Sequence, residues 1–352
     1  MTSEFMAPGG GVTETPLAVR RGRFTGLRRA IAPVAQARGL PKWVLYIGSV
    51  LVLMFVVFAI FAPWISPYSF DQYQDSHGHR FPQSAPPSPQ HWFGTNIMST
   101  DVFSHIVYGS RTALEVVVIA VVISMVIGVP LGLFSGYYGG PFDRFVVLVM
   151  DAMFAFPSLL LAILIAFLLR GKFDFFGASF SGIMSAAISI TVIYIPQYFR
   201  VIRNSVISVR EEPYVEAARV LGAKPRTVIA RYVFGNVVQN VPVIATLNAA
   251  DALLTLAGLG FLGYGVQPTE AAEWGYDLQR ALGEASGGIW WTSVFPGLAI
   301  VLLVTGLTLV GESLNDMLNP VLRRRQLLPV KITNTEIELA TEAPTEQRGP
   351  RD

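Results

Sequence analysis

Six apolar runs organise this chain. A hydrocarbon core about 30 Å thick takes roughly 20 residues of helix. The stretches 43–64, 112–137, 145–169, 179–199, 237–262 and 291–317 each reach that length. The fourth is the least apolar, because Ser and Thr interrupt it. The polar intervals are unequal. Residues 65–111 are polar and rich in proline (Pro82, Pro86, Pro87, Pro89), which predicts irregular backbone with a short helix over 101–108. Residues 200–235 form a long basic loop, and the ends, 1–42 and 323–352, read as polar tails. The first tail carries an amphipathic stretch over 23–37. The second, with Glu336, Glu338, Glu342 and Glu346, has too little apolar content to order itself. The first run begins too far into the chain and is too long for a cleaved signal segment, so it reads as a retained span. No short-period repeat is present.

Lysine and arginine then set the orientation. Arg20, Arg21, Arg23, Arg28, Arg29, Arg38 and Lys42 precede the first run. Arg200, Arg203, Arg210, Arg219, Lys224, Arg226 and Arg231 lie between the fourth and fifth. Arg323, Arg324 and Arg325 follow the sixth. By contrast, 65–111 holds Arg80 and Arg111, and the interval after the fifth run holds only Arg280. Both termini and the 200–235 loop are therefore predicted to be cytoplasmic and 65–111 external, as an even number of spans requires. The organisation expected is a tail (1–42), a first helix (43–64), an external segment (65–111), a five-helix core (112–322) and a second tail (323–352).

Composition agrees: 52% of residues are hydrophobic and 14% charged, against about 25% charged in soluble domains. The mean hydropathy is +0.49. The fold class is all-α integral membrane. A net charge of +2 implies no nucleic-acid partner. The absence of cysteine excludes disulfides, iron–sulfur clusters, thiolate metal sites and cysteine nucleophiles.

Inside the spans, Gly128, Gly132 and Gly136 repeat at four-residue spacing and put small residues on one helical face. That face suits close backbone approach, either within the subunit or between subunits. Pro130, Pro157, Pro196, Pro242 and Pro296 interrupt or flank spans, as helices lining a path do. Asn248, Asp251 and Thr255 form one polar stripe on the fifth span. An ionisable residue there faces a bundle interior or a wet cavity. Pathway lining and a satisfied packing contact both fit. Asp151, Glu312 and Asp316 lie nearer the ends of their spans and suit pairing or capping.

The 200–235 loop is the most informative segment. Pro213 suits the first turn of a helix, Glu211 and Glu212 suit its positive end, and Gly222 suits the left-handed position that stops it. A second helical start follows at Pro225. Ala217 and Ala218 leave the short helix a side with little bulk, fit to enter a groove on another protein, with Glu216 to orient it. A helix resting on the bilayer surface is the competing reading.

The segment Glu216-Ala217-Ala218-Arg219-Val220-Leu221-Gly222 resembles the EAA loop of ATP-binding-cassette importer permeases. Other segments match the same family in order: 94–96, 101–104 and 108–111; 127–140; Asp151 with 154–158; 261–268; Trp274-Gly275; and 295–300. Together they resemble the dipeptide/oligopeptide permease C subunit over about residues 40–325. Three positions depart from the pattern. Phe234-Gly235-Asn236 stands where Leu-Pro-Asn is usual, Leu256 replaces a common Glu, and Ser99-Thr100-Asp101 replaces Gly-Arg-Asp.

The resemblance implies a type I importer permease fold in a bacterial inner membrane. It implies that Tyr214, Glu216, Ala217, Ala218 and Gly222 couple to a cytoplasmic ATPase. Partners would be a second homologous permease, one or two ATP-binding subunits holding ATP and Mg, an extracytoplasmic binding protein and membrane lipid. The chain itself would have no catalytic residue, cofactor or metal. Substrates would be di- or oligopeptides, with nickel chelates or other small solutes as the alternative. A secondary transporter or channel is the competing class; the former more often has inverted repeats, and neither needs the short cytoplasmic helix.

Two patterns look like sites and lack the context. Gly258, Gly260 and Gly263 match a dinucleotide fingerprint, but no strand or βαβ unit surrounds them. No Gly-Lys-Ser/Thr phosphate loop occurs. His77, His79 and His91 are expected to be solvated loop residues rather than metal ligands.

Overall fold

The computed structural model describes residues 40–170 and 180–318. The expected amphipathic stretch over 23–37 and the tail over 323–352 lie outside them. Among the described residues nine named helices carry the fold: α1 Leu40–Ile65, α2 Val102–Tyr138, α3 Gly140–Ala155, α4 Ser158–Arg170, α5 Gly182–Arg210, α6 Pro213–Val220, α7 Val241–Phe261, α8 Trp274–Ala285 and α9 Trp291–Leu318. Short helical pieces, Pro225–Thr227, a π turn at Val228–Val233, Phe234–Val237 and Val238–Asn240, lead into α7. Among the described residues no strand forms; only the bridges Gln74–Arg80 and Thr95–Asp101 occur.

Helices α1, α2, α5, α7 and α9 are each long and apolar enough to cross a membrane. The third expected span, 145–169, is not one straight helix. It divides into α3 and α4, which meet at 97°. Pro157 is the cause: it lacks an N–H and drives the residue before it out of the helical region, and Phe156 is extended (φ −84°, ψ 137°).

Two boundaries differ clearly from expectation. The second span begins at Val102 rather than 112, because Asp101 caps it through Ser104 N at 2.8 Å. The 37 residues of α2 reach about 55 Å, well past the bilayer core. The fourth span runs on to Arg210, since Ile202 and Val206 remain buried. The 200–235 loop therefore starts inside α5. Helix α8 was not expected; its charged face hides it from a hydropathy criterion.

Glycines fix the central packing. A Cβ at Gly128, Gly132 or Gly136 would lie 2.7, 2.7 and 2.8 Å from Tyr198 Cβ, Phe199 O and Arg203 O. The stripe thus seats α5 on α2 within the subunit. Gly48 and Gly306 let α1 and α9 approach in the same way. Phe55 of α1 is buried against Trp274, with ring centroids 5.6 Å apart.

Candidate functional site

At the basic end of the bundle, α6 is held as a short rigid projection. Glu212 and Pro213 open it, and Val215 and Ala218 turn inward and are buried. Gly222, at φ +79°, closes it with two reversed bonds: Gly222 N to Arg219 O at 2.9 Å and Ala223 N to Ala218 O at 3.0 Å. This pairing satisfies carbonyls that a helix end leaves free. Tyr214 accepts a hydrogen bond from Asn236 Nδ2 at 3.0 Å, and Arg219 lies over the Tyr137 ring at 5.2 Å. The departure at 234–236 therefore leaves the Asn–Tyr tether in place.

The five loop residues singled out by sequence are divided by this geometry. Glu216, Ala217 and Gly222 face outward, Tyr214 is partly exposed, and Ala218 packs against its own subunit. The outward tip also presents Val220 and Leu221, 82% and 86% exposed. Sequence reasoning missed this pair; the signal was two apolar residues immediately before a stopping glycine.

Charged pairs tie the stem of the projection to α3. Arg203 grips Asp143 with two hydrogen bonds, at 2.6 and 2.7 Å, and Ser135 donates to the same carboxylate. Arg200 bonds Asp151 at 2.7 Å and stacks on Phe154 at 3.9 Å. Arg210 donates to Gly136 O at 2.8 Å. Arg200 and Arg203 thus hold the α3 arm, and Arg210 holds the end of α2.

Midway along the bundle lies a polar seam between α5 and α7. Tyr194 Oη and Thr255 Oγ1 are 3.3 Å apart. The Tyr198 hydroxyl faces the Asn248 amide too loosely for a full hydrogen bond, so both buried groups are left unsatisfied among the described residues. Asn248 is buried, Thr255 half-buried and Asp251 exposed. The stripe thus turns from interior to surface.

The opposite end is a folded cap. His105 Nδ1 lies 3.1 Å from Asp277 and its Nε2 lies 2.8 Å from Phe70 O. Both partners are acceptors, so the ring donates from both nitrogens as an imidazolium. Asp101 joins the α2 cap to His91 Nδ1 at 2.9 Å. His91 is not a solvated loop residue: it is buried between the Tyr68 and Phe81 rings. His77 and His79 are exposed, and their backbone N–H groups bond Asp75. Those contacts, the His79 N–H foremost, hold the Asp75 carboxyl below its ordinary range. Among the described residues no group of three or more acidic or histidine side chains could hold a metal.

Glu273 caps α8 by accepting from Gly275 N and Tyr276 N at 2.8 and 2.9 Å. It is fully enclosed, and burial pushes its carboxyl up to about 8. A Cβ at Gly260 would collide with its Oε2. Gly263, at φ +82°, turns the chain just after α7, and a Cβ at Gly258 would touch Leu159. The glycine fingerprint over 258–263 is explained by packing.

Comparison with known proteins adds the family. Residues 128–324 match the family described as binding-protein-dependent transport system inner membrane component. Residues 43–87 match the N-terminal transmembrane domain of oligopeptide transport permease C. A dipeptide transport system permease protein of Alkalihalophilus pseudofirmus is 36% identical over 277 residues, 78% of this chain and 84% of that protein. A glutathione transport system permease protein of Escherichia coli is 34% identical over 273 residues, covering 78% and 85%. A chain from a solved structure of inward-facing conformations of a methionine ABC transporter is 20% identical, with a TM-score of 0.47 over 62% of this chain and 96% of that one.

Proposed function

The chain belongs to the binding-protein-dependent transport system inner-membrane component family, as a permease subunit of an ABC importer, and from that premise we propose that it carries di- or oligopeptides inward and draws on ATP through helix α6. The single observation that supports the coupling role best is the outward tip of α6. Val220 and Leu221 stand free of the subunit while Val215, Ala218 and the Asn236–Tyr214 bond hold the helix from behind. An apolar tip on a braced stem suits insertion into a groove of a cytoplasmic ATP-binding subunit, with rest on the bilayer surface as the competing reading.

Glu216, Ala217 and Gly222 complete the docking surface, and Ala218 and Tyr214 position it. The basic end is cytoplasmic and the cap is external in this reading. One or two ATP-binding subunits hold ATP and Mg, a second homologous permease completes the path, and an extracytoplasmic binding protein delivers substrate to the cap. ATP moves the assembly only if it binds one conformation better than the other. The rigid run from α6 through α5 to the arginine–aspartate pairs gives that preference a route to the α3–α4 elbow.

The peptide assignment is supported by the dipeptide and glutathione permeases among the relatives. The test is ATP-driven uptake of radiolabelled dialanine into vesicles holding the purified complex. Accumulation that requires ATP and this subunit is expected. Uptake of a nickel chelate with none of dialanine would refute the peptide reading.

A further inference from the structure

The elbow leaves part of α7 uncovered. Leu159 reaches Gly258, and the Phe167 and Tyr264 rings lie 6.5 Å apart, so α4 runs along α7 from Gly258 onward. Below that point the chain has turned by 97°, and α3 packs on α5 instead, with Val146 and Met150 against Phe199. Leu247, Asp251 and Leu254 are consequently exposed along one side of α7. Asp251 is the eleventh of the 21 residues of that helix, and so sits at the middle of the span.

A carboxylate facing hydrocarbon at that depth costs about 2.5–3.5 kcal/mol on insertion scales. No charged group compensates Asp251 among the described residues. In the assembly proposed above, this face looks into the path that the second permease completes, where the carboxylate meets water or a cation. Helix α3 ends at Ala155 with no basic residue in its last turn, so the negative end of its dipole faces the bend. Arg200, paired with Asp151 and stacked on Phe154 in the last turn of α3, already supplies a cation at this end. A small cavity separates the elbow from α5 at Ile193, Pro196 and Gln197, the same turn whose Tyr194 reaches Thr255. An unpaired carboxylate at mid-span, with the Thr255 and Tyr194 hydroxyls one turn on, makes a place for positive charge.

We propose that Asp251 receives the free ammonium group of the substrate as it passes the elbow, with the Tyr194 and Thr255 hydroxyls beside it. The proposal rests on the peptide reading above. An ammonium is also the cation that dipeptides and glutathione have in common. The role is substrate recognition in the path rather than chemistry, and no bond is made or broken.

The experiment uses the complete importer with its binding protein in ATP-loaded vesicles and measures radiolabelled dialanine carried per ATP hydrolysed. Replacing the ion pair by a neutral contact in Asp251→Asn should lower that ratio by about tenfold to a hundredfold. Asp251→Glu should restore most of it, and hydrolysis without peptide should be unchanged in both. Wild-type transport by Asp251→Asn overturns the proposal. Loss of peptide-free hydrolysis along with transport overturns it too, since that marks a structural role. A wild-type importer that carries no dialanine refutes the peptide reading and this proposal with it, whereas equal transport by the wild type and Asp251→Asn refutes the proposal alone.

Discussion

Replacing Gly132 should separate the two helices that form the centre of the subunit. A Cβ there would lie 2.7 Å from Phe199 O, 3.0 Å from Ile202 Cβ and 3.1 Å from Arg203 N. The first contact falls roughly 0.7 Å short of the 3.4 Å at which ordinary contact begins. Its partner is a backbone carbonyl, so no side-chain rotation relieves it, and α5 itself must move. Alanine gains about 1 kcal/mol of helix propensity over glycine. Overpacking costs about 1–3 kcal/mol, so Gly132→Ala should be net destabilising by up to about 2 kcal/mol. The shift is about 2–4 °C per kcal/mol for about 150–250 residues and smaller for a longer chain, so the Tm of the purified subunit in detergent should fall by up to a few degrees. Gly132→Leu should fall further and weaken the Arg203–Asp143 clamp beside it. Gly283→Ala is the control: nothing lies within 4 Å of its Cβ position on α8, so propensity alone acts and Tm should hold or rise. If Gly132→Ala is as stable as Gly283→Ala, the glycine seam is not the close contact described here.

Other consequences can be measured separately. Gly222→Val puts a β-branched residue at φ +79°, a strain of about 1–2 kcal/mol; the subunit should still reach the membrane while uptake per ATP falls, and normal coupling would contradict the role given to α6. Glu273 is raised from an ordinary 4.5 to about 8 by burial, so the folded state holds its proton over that interval and the unfolded state does not. Stability should therefore fall as pH rises from about 4.5 to about 8, and Glu273→Gln should flatten that slope in a Tm-versus-pH series; an unchanged slope would assign it elsewhere. Asp143→Asn removes one charge from the bidentate Arg203 pair and should destabilise the α3 arm, read as faster proteolysis at the α2–α3 junction. Asp143→Asn with unaltered cleavage would show that the clamp does not hold the arm.

Much of the fold was visible in the sequence because hydropathy and length determine a span almost without help from tertiary contacts. Six apolar runs became five crossing helices and a bent pair. Hydropathy carries no direction, so the elbow went unseen although Pro157 marked it. Local stop signals placed α6 well, since Pro213 and Gly222 act through backbone geometry alone. Which alanine faces outward depends on what lies behind the helix: Ala218 is inward because Val215, one turn earlier, is the buried anchor. The cap was the least legible part. Its contacts join residues far apart in the chain, such as His105 with Asp277 and Trp291 with Thr95, and no spacing rule predicts them.

The chain contains no cysteine, which makes the most direct test of the central claim simple. A single Leu221→Cys would place one thiol at the exposed tip of α6. Short thiol-reactive crosslinking in native membranes, followed by mass spectrometry, reads what that tip touches. The account predicts one dominant adduct with an ATP-binding subunit, and none from a cysteine at Gly283. A tip that reacts freely with a soluble thiol reagent in the assembled membrane complex, and joins no ATP-binding subunit, would contradict the coupling role.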